Sequence, residues 1–383
     1  MADPLSQLTL EQLRRRTSAK WRQYPDDVLP MWVAEMDVPL AEPIVTAVEG
    51  ALAIGDTGYP SGGAYCEALR DFAASRWNWR FEARRACLVP DLMSGVADVI
   101  GVVTEPGATV VINPPVYPPF FWAARNTGRE LLECPLDPSG RLDLARLERA
   151  FAEASRNPAG AAYLLCSPHN PTGTVHTAEE LNRVAELASE YRVRVISDEI
   201  HAPLSYAGAT FIPYLSVEPE GDGFAIYSAS KAWNLAGLKA AVAIAGSGAD
   251  DDLERLRSVT HSASHIGVIA HTAALTSATD WLDDLLLGLE RNRDELARLL
   301  AERLPTLGFR PPDATFLAWL DFGSLDLGTD PAAALLERGR VALNHGPSFG
   351  RGSEGHARLN FACPPALLAE GVERIVGAVE AVS

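Results

Sequence analysis

Long apolar runs are absent from this 383-residue chain: nowhere do 18 apolar residues stand together, and the N-terminal MADPLSQLTLEQLRRRTSAKW has no apolar centre of the signal-peptide kind. A membrane-spanning or exported protein is thereby disfavoured, and a soluble cytoplasmic one is expected. Cysteine is scarce. Cys66, Cys87, Cys134, Cys166 and Cys363 are scattered, odd in number and in no CxxC pair, which argues against a disulfide scaffold or a structural zinc site. Cys166 reads as a small buried hydrophobe rather than a nucleophile. Basic residues are outnumbered, 33 against 50 acidic for a net charge of -17, so nucleic acid is not an expected partner. Neither GxGxxG nor GxxxxGK[ST] occurs, and there is no internal repeat or low-complexity run.

What is present suits a folded chain of two domains. Apolar residues make up 47% and charged residues 22%, close to the averages for folded proteins. Residues 5–20 read as one short helix, and further helices are expected at 42–54 and 64–79. From residue 86, short β-rich runs (86–89, 109–112, 129–132, 161–165, 193–196, 223–227 and 240–244) alternate with helical stretches near 93–103, 143–155 and 177–190. That alternation predicts an α/β fold with a mostly parallel sheet covered by helices on both faces. Beyond 244 the pattern turns helical, with a long amphipathic stretch at 280–304. Strands at 308–312, 316–321 and 357–361 and a helix over 365–382 predict a smaller C-terminal domain.

Ligands of such sheets collect beyond the strand C-termini, and several polar clusters fall there. In Tyr227-Ser-Ala-Ser-Lys-Ala-Trp-Asn-Leu-Ala-Gly-Leu-Lys239, Lys231 can form an imine with an aldehyde cofactor, while Ser228, Ser230 and Lys239 suit a phosphate; the plainer reading is a solvated lysine at a helix start. Pro90-Asp-Leu-Met-Ser-Gly-Val96 opens a helix whose first N–H groups, near Leu92 and Met93, also suit a phosphate. Tyr117, among the prolines of NPPVYPPF, either stacks on a planar ring or packs as a loop aromatic. Asn170 in SPHNPTG either donates to a ring oxygen or makes an Asx turn, and His169 reads as an ordinary polar loop residue. Asp198 ends a strand; a buried carboxylate there requires a cation, such as a protonated pyridine nitrogen, and a turn after it brings His201 to the same place. A metal site at Asp198, Glu199 and His201 is the rival, but no second histidine stands at ligand spacing and no metal is expected. Glu35 and Asp37 either line a cleft or cap the helix that Pro43 begins. Tyr59 is a hydroxyl donor or a plug over its glycine-rich turn. Arg358 is a fork for a carboxylate or a surface strand residue.

Taken in order, LPMWVAEMD, TGYP, NPPVYPPF, SPHNPTG, SDEIH, SASKAWNLAGLK and GHARLNFACP resemble the fold type I pyridoxal-phosphate enzymes of the class I/II aminotransferase superfamily, most nearly the MalY/PatB group of cystathionine β-lyases. The resemblance runs from about residue 27 to 375. It implies an aspartate-aminotransferase-like fold: a large domain (51–275) with a mostly parallel seven-stranded sheet, a smaller α/β domain (276–383), and an N-terminal segment (1–50) packing with the latter. It further implies pyridoxal 5'-phosphate as cofactor, with Lys231 as the attachment lysine and base, Asp198 as partner of the pyridine nitrogen, Asn170 on the ring hydroxyl and Tyr117 stacked on the ring. Ser228, Ser230, Lys239 and the amides near Leu92 and Met93 would hold the phosphate, joined by Tyr59 from the neighbouring subunit of a homodimer. His201 would stand beside the cofactor, and Arg358 and Glu35 beside the substrate amino acid. The chain departs from the pattern at His201, where many aminotransferases have tyrosine, at Lys239, where many have arginine, and in Ala-Glu-Met-Asp, where many lyases have Ala-Asp-Met-Asp.

The reaction implied is β-elimination from L-cystathionine or another cysteine S-conjugate, giving thiol, pyruvate and ammonia. Aminotransfer between an L-amino acid and a 2-oxo acid is the alternative, and a regulatory or binding protein on the same fold a second. Residue spacing does not separate elimination from transfer.

Overall fold

The computed structural model describes residues 3–218 and 220–381; Val382, the expected end of the last helix, lies outside them. A 3-10 turn at Pro4–Ser6 and the helices α1 (Leu10–Arg14) and α2 (Ala19–Arg22) precede β1 (Leu29–Pro30), α3 (Glu42–Ala53) and α4 (Gly63–Trp77). The single helix expected over 5–20 is thus three short pieces. Thr9 and Gln12 form a reciprocal capping box that starts α1 afresh instead of continuing the turn at Leu5.

The expected alternation follows: β2 (Ala86–Val89), α5 (Leu92–Val103), β3 (Thr109–Ile112), α6 (Pro119–Asn126), β4 (Glu130–Glu133), α7 (Leu144–Ala154), β5 (Ala161–Cys166), α8 (Ala178–Tyr191), β6 (Arg194–Asp198), α9 (Tyr214–Val217), β7 (Phe224–Tyr227), β8 (Ala241–Ala245), α10 (Asp250–Val259) and α11 (His265–Ser277). The chain ends with α12 (Thr279–Arg303), β9 (Gly308–Phe309), β10 (Leu317–Asp321), α13 (Pro331–Gly339), β11 (Val341–Ala342), β12 (Asn344–His345), β13 (His356–Asn360) and α14 (Pro365–Glu380). Helices α6 and α13 were not expected; both open on proline, which fits a helix's first turn but reads in sequence as a loop signal.

Two compact units result. One comprises the described residues of Met1–Pro39, Asn170–Thr174 and Asp280–Ser383; the other comprises Leu40–His169 and Val175–Thr279. The larger holds a seven-stranded sheet in the order β2-β8-β7-β6-β5-β3-β4, in which only β8 runs antiparallel to its neighbours. Every residue of β5, β7 and β8 is buried, the continuous apolar pattern of strands covered on both faces. Helix starts are well specified: Asp143 caps α7, Thr177 and Glu180 form a capping box on α8, and Ser264 caps α11. The smaller unit carries the antiparallel sheet β12-β13-β10-β9 and the parallel pair β1-β11. Its Asn170–Thr174 segment is tied by the Gly173 carbonyl, which accepts from the N–H groups of Asp313 and Ala314 at 3.0 Å each. Gly173 has φ +68, and a Cβ there would come within 2.8 Å of the Ala314 carbonyl, so glycine is required. Among the described residues, no helix is long and apolar enough to cross a membrane.

Candidate active site

In the larger unit, β2, β3, β5, β6 and β7 end at one edge of the sheet, and the antiparallel β8 begins there. Residues 90–93, 113–117, 167–169, 199–201, 228–231 and 239–240 therefore emerge beyond the same strand ends. Cys166, Asp198 and Ile226 are in register across β5, β6 and β7, which places Asp198 at the centre of that edge.

Asp198 is buried, with one carboxylate oxygen accepting from the Ile200 N–H at 3.1 Å. Burial pushes its carboxyl up to about 7, while the Ile200 N–H and the positive charge of Lys231 pull the other way. The strand ends at Asp198, and a turn carries the chain through His201 into a 3-10 helix at Ala202–Leu204. Glu199 points elsewhere: its Oε1 accepts from the Ser197 hydroxyl at 2.9 Å and the Tyr214 N–H at 2.8 Å, and burial pushes its pKa up to about 8.

Lys231 lies in a series of turns after β7 and is half-buried, not a solvated lysine at a helix start. The Leu235 N–H bonds to the Ser230 carbonyl at 2.8 Å, closing the turn around the lysine. Ser228 donates to the Ala240 carbonyl at 2.7 Å, and its oxygen lies 3.0 Å from the Ser230 hydroxyl. Leu92 and Met93 do begin α5, where N–H groups have no carbonyl four residues back. The helix cap is acidic: Asp91 accepts from the Ser94 N–H at 3.0 Å and lies 3.4 Å from the exposed Lys239 ammonium. Lys239 thus offsets a carboxylate as well as offering charge to an anion. Tyr117 is half-buried, with its ring edge-on to Phe120 at 6.2 Å. Tyr59 is 91% exposed.

His169 is not an ordinary loop residue. It is buried, and its Nε2 lies 2.8 Å from the Pro115 carbonyl, tying the segment after β5 to the loop that carries Tyr117. Burial, with His176 beside it, pushes its pKa down to about 3, so the ring is neutral and Nε2 carries the donated proton.

In the smaller unit, Arg358 is buried on β13, not a surface strand residue. Its Nη1 donates to Asn170 Oδ1 at 3.0 Å, its Nη2 donates to the Trp32 carbonyl at 3.1 Å, and the guanidinium lies 5.1 Å from the centre of the Phe349 ring. The Asn170 oxygen faces the cation. Asn360 on the same strand donates to the carbonyls of Val33 and Glu35, at 2.7 Å each, so residues 32–35 run beside Arg358. The Glu35 carboxylate itself accepts from the Ser18 hydroxyl at 2.6 Å. Neither Glu35 nor Asp37 caps α3, whose cap residue is Ala41; Asp37 is buried against Lys20 Nζ at 2.8 Å and Trp21 Nε1 at 3.1 Å.

Lysine scarcity is a signal that the motifs hide. The chain has three lysines, Lys20, Lys231 and Lys239, against thirty arginines. Lys20 is consumed by Asp37, so an amine-dependent chemistry in the larger unit has only Lys231 and the exposed Lys239 to draw on.

The family model for "Aminotransferase class I and II" matches residues 53–375. A Mycobacterium leprae protein is 50% identical over 98% of each chain. A Corynebacterium glutamicum protein named cystathionine beta-lyase is 35% identical over 96% of this chain and 98% of its own. Among solved structures, the PLP-bound C-S lyase from Staphylococcus hominis superposes with a TM-score of 0.89 at 26% identity, covering 95% of this chain and 96% of that one. A lysine and a buried acid at neighbouring strand ends of a six-parallel, one-antiparallel sheet, together with a family match across most of the sequence, place this chain in the class I and II aminotransferase family.

Proposed function

We propose that this chain is a pyridoxal-phosphate-dependent carbon–sulfur β-lyase, cleaving L-cystathionine or a related cysteine S-conjugate to a thiol, pyruvate and ammonia, and that it acts as a homodimer. The observation that carries the reading is likeness along nearly the whole chain to proteins named cystathionine beta-lyase and to a PLP-bound C-S lyase.

The residues present suit the cofactor. Asp198 is a buried acid whose ionised form needs a cation, and a protonated pyridine nitrogen is one. The Leu92 and Met93 amides at the start of α5, the Ser230 hydroxyl and the Lys239 ammonium are donors suited to a phosphate dianion, while the Ser228 proton is given to the Ala240 carbonyl and would have to turn to serve it. Tyr117 provides an aromatic face and Lys231 the amine. When bound, the cofactor supplies an electron sink for the negative charge that develops at the substrate Cα.

The protein's own groups do the rest. With the cofactor bound, Asp198 would be ionised against the ring nitrogen and keep a proton on that atom. Asn170, its oxygen held by Arg358, would serve the ring hydroxyl, as the resemblance implies. Arg358 grips the α-carboxylate with its planar fork and so sets the direction of the Cα–H bond. Lys231 Nζ removes the α-proton, and the Cβ–S bond breaks with the electron pair leaving on sulfur. Water enters as the three-carbon fragment is released as pyruvate and ammonium, which balances the reaction.

Leu40, Leu52, Ile54 and Tyr59 are four of the seven large apolar side chains exposed among the described residues, and all fall within one twenty-residue stretch. Such a concentration suits an association surface and supports a dimer in which Tyr59 reaches the partner's phosphate. The deciding experiment incubates the protein, loaded with pyridoxal phosphate, with L-cystathionine. Pyruvate and homocysteine in equal amounts are expected; amino transfer to a 2-oxo acid without thiol release replaces the reading with an aminotransferase.

A further inference from the structure

The turn that carries Lys231 is closed by backbone hydrogen bonds, the Trp233 N–H to the Ala229 carbonyl at 3.1 Å and the Leu235 N–H to the Ser230 carbonyl at 2.8 Å. A buried chain of polar groups adds to them from outside the turn. The Ala229 N–H, two residues before Lys231, donates to the Tyr65 hydroxyl at 3.3 Å, and that hydroxyl lies 3.1 Å from Nδ1 of His271. Tyr65, on α4, and His271, on α11, are both fully buried, with their rings edge-on at 5.4 Å. Burial pushes His271 down to about 4, so the imidazole is neutral, and burial raises the Tyr65 phenol above its ordinary value. The phenol oxygen accepts from the Ala229 N–H and shares a hydrogen bond with Nδ1 of the neutral imidazole.

The same helix holds the far end of the segment. The Ser264 N–H, at the start of α11, donates to the Lys239 carbonyl at 2.9 Å. One turn on, Gly267 lies so close that a Cβ would come within 2.9 Å of the Lys239 carbonyl and 3.0 Å of the Leu238 carbonyl. Helix α11 therefore meets the 228–239 segment at both ends, through backbone at one and through the histidine and tyrosine at the other. The Tyr65 hydroxyl thus bridges the lysine-bearing turn and α11, one contact to the Ala229 N–H and one to His271.

We propose that Tyr65 and His271 are positioning residues for Lys231: His271 orients the Tyr65 hydroxyl, which fixes the Ala229 N–H and with it the backbone from which the lysine reaches. The proposal rests on the assignment of Lys231 as the cofactor-bearing base. Tyr65→Phe keeps the packed ring and removes the hydroxyl that links Ala229 to His271. Loss of that link is expected to lower kcat about tenfold and speed cofactor release by a similar factor, with KM held within about twofold. His271→Leu has the same effect, and His271→Asn, which keeps a hydrogen-bonding group where Nδ1 stands, restores most of it. The double variant Tyr65→Phe/His271→Leu is expected to be no worse than Tyr65→Phe alone, as members of one chain behave.

The experiment measures cofactor release into a carbonyl trap, steady-state kinetics and the melting temperature of the cofactor-free protein for each variant. A lower melting temperature with unchanged kcat and unchanged cofactor release overturns the proposal and leaves the pair as core packing. Should Tyr65→Phe not fold, the contrast between His271→Asn and His271→Leu reads the same chain, and equal values for the two overturn it. A wild-type protein that takes up no cofactor removes the function proposed above, and this inference with it; normal uptake with no variant effect removes this inference alone.

Discussion

Asn170 and Arg358 face each other across 3.0 Å, carboxamide oxygen to guanidinium Nη1, although 188 residues separate them. The contact sets which way each side chain presents its remaining donors. Arg358→Lys keeps the charge and loses the fork, the bond to the Trp32 carbonyl and the face over Phe349 together. The expected outcome is a fall of about 100-fold in kcat/KM for L-cystathionine, with cofactor binding largely kept. Steady-state assays beside cofactor absorbance check it, and an unchanged kcat/KM removes Arg358 from the substrate site.

Lys231→Ala is expected to abolish multiple turnover. Borohydride reduction of the loaded wild type, followed by peptide mapping, should place the pyridoxyl label on Lys231. With three lysines in the chain the map is unambiguous, and label on Lys20 or Lys239 refutes the assignment.

Much of this site was legible because its chemistry sits in short segments at strand ends. Lys231 follows β7 and Asp198 ends β6, and short β-rich apolar runs locate both. Asn170 was legible as a residue but not as a member of the smaller unit, because its five-residue segment is claimed by Gly173 and the backbone of 313–314 far along the chain. His169, Tyr65 and His271 were not legible as anything special. Their roles depend on burial and on partners 54 and 206 residues away, and no local periodicity encodes that. The acidic cap at Asp91 is local, but the helix start it occupies also offers N–H groups that suit an anion, and the sequence alone does not separate the two uses.

Glu199 ties stability to pH with a definite sign. Its pKa rises from the ordinary 4.5 to about 8 on folding, so between those values the native protein holds a proton that the unfolded chain has released. Stability contributed by this group therefore falls as pH rises through that window, by at most about 1.4 kcal/mol per pH unit. Glu199→Gln keeps an acceptor for the Tyr214 N–H and the Ser197 hydroxyl and removes the ionisation. Denaturation midpoints of the cofactor-free protein at pH 5.5 and pH 8 are expected to differ less in the variant than in wild type; equal differences refute the assignment.

Tyr59 presents a testable question of geometry between subunits. Its side chain is 91% exposed in the single chain, in a stretch with exposed Leu52 and Ile54, so the hydroxyl is open to a neighbouring molecule. If Tyr59 serves the partner's phosphate, a dimer of one Lys231→Ala chain and one Tyr59→Phe chain contains one site with neither group and one with both. The complete site pairs Lys231 of the Tyr59→Phe chain with the tyrosine of the other chain. If Tyr59 serves its own chain, no site in that dimer is complete. Mixing the two purified variants under conditions that reassort subunits should yield about half mixed dimers by statistics, and the mixture should regain tight cofactor binding and turnover absent from either variant alone. Sedimentation of the wild type checks the dimer independently. Activity in the mixture no higher than the average of the separate variants, at a reassortment proved by mass spectrometry, places Tyr59 outside the partner's site.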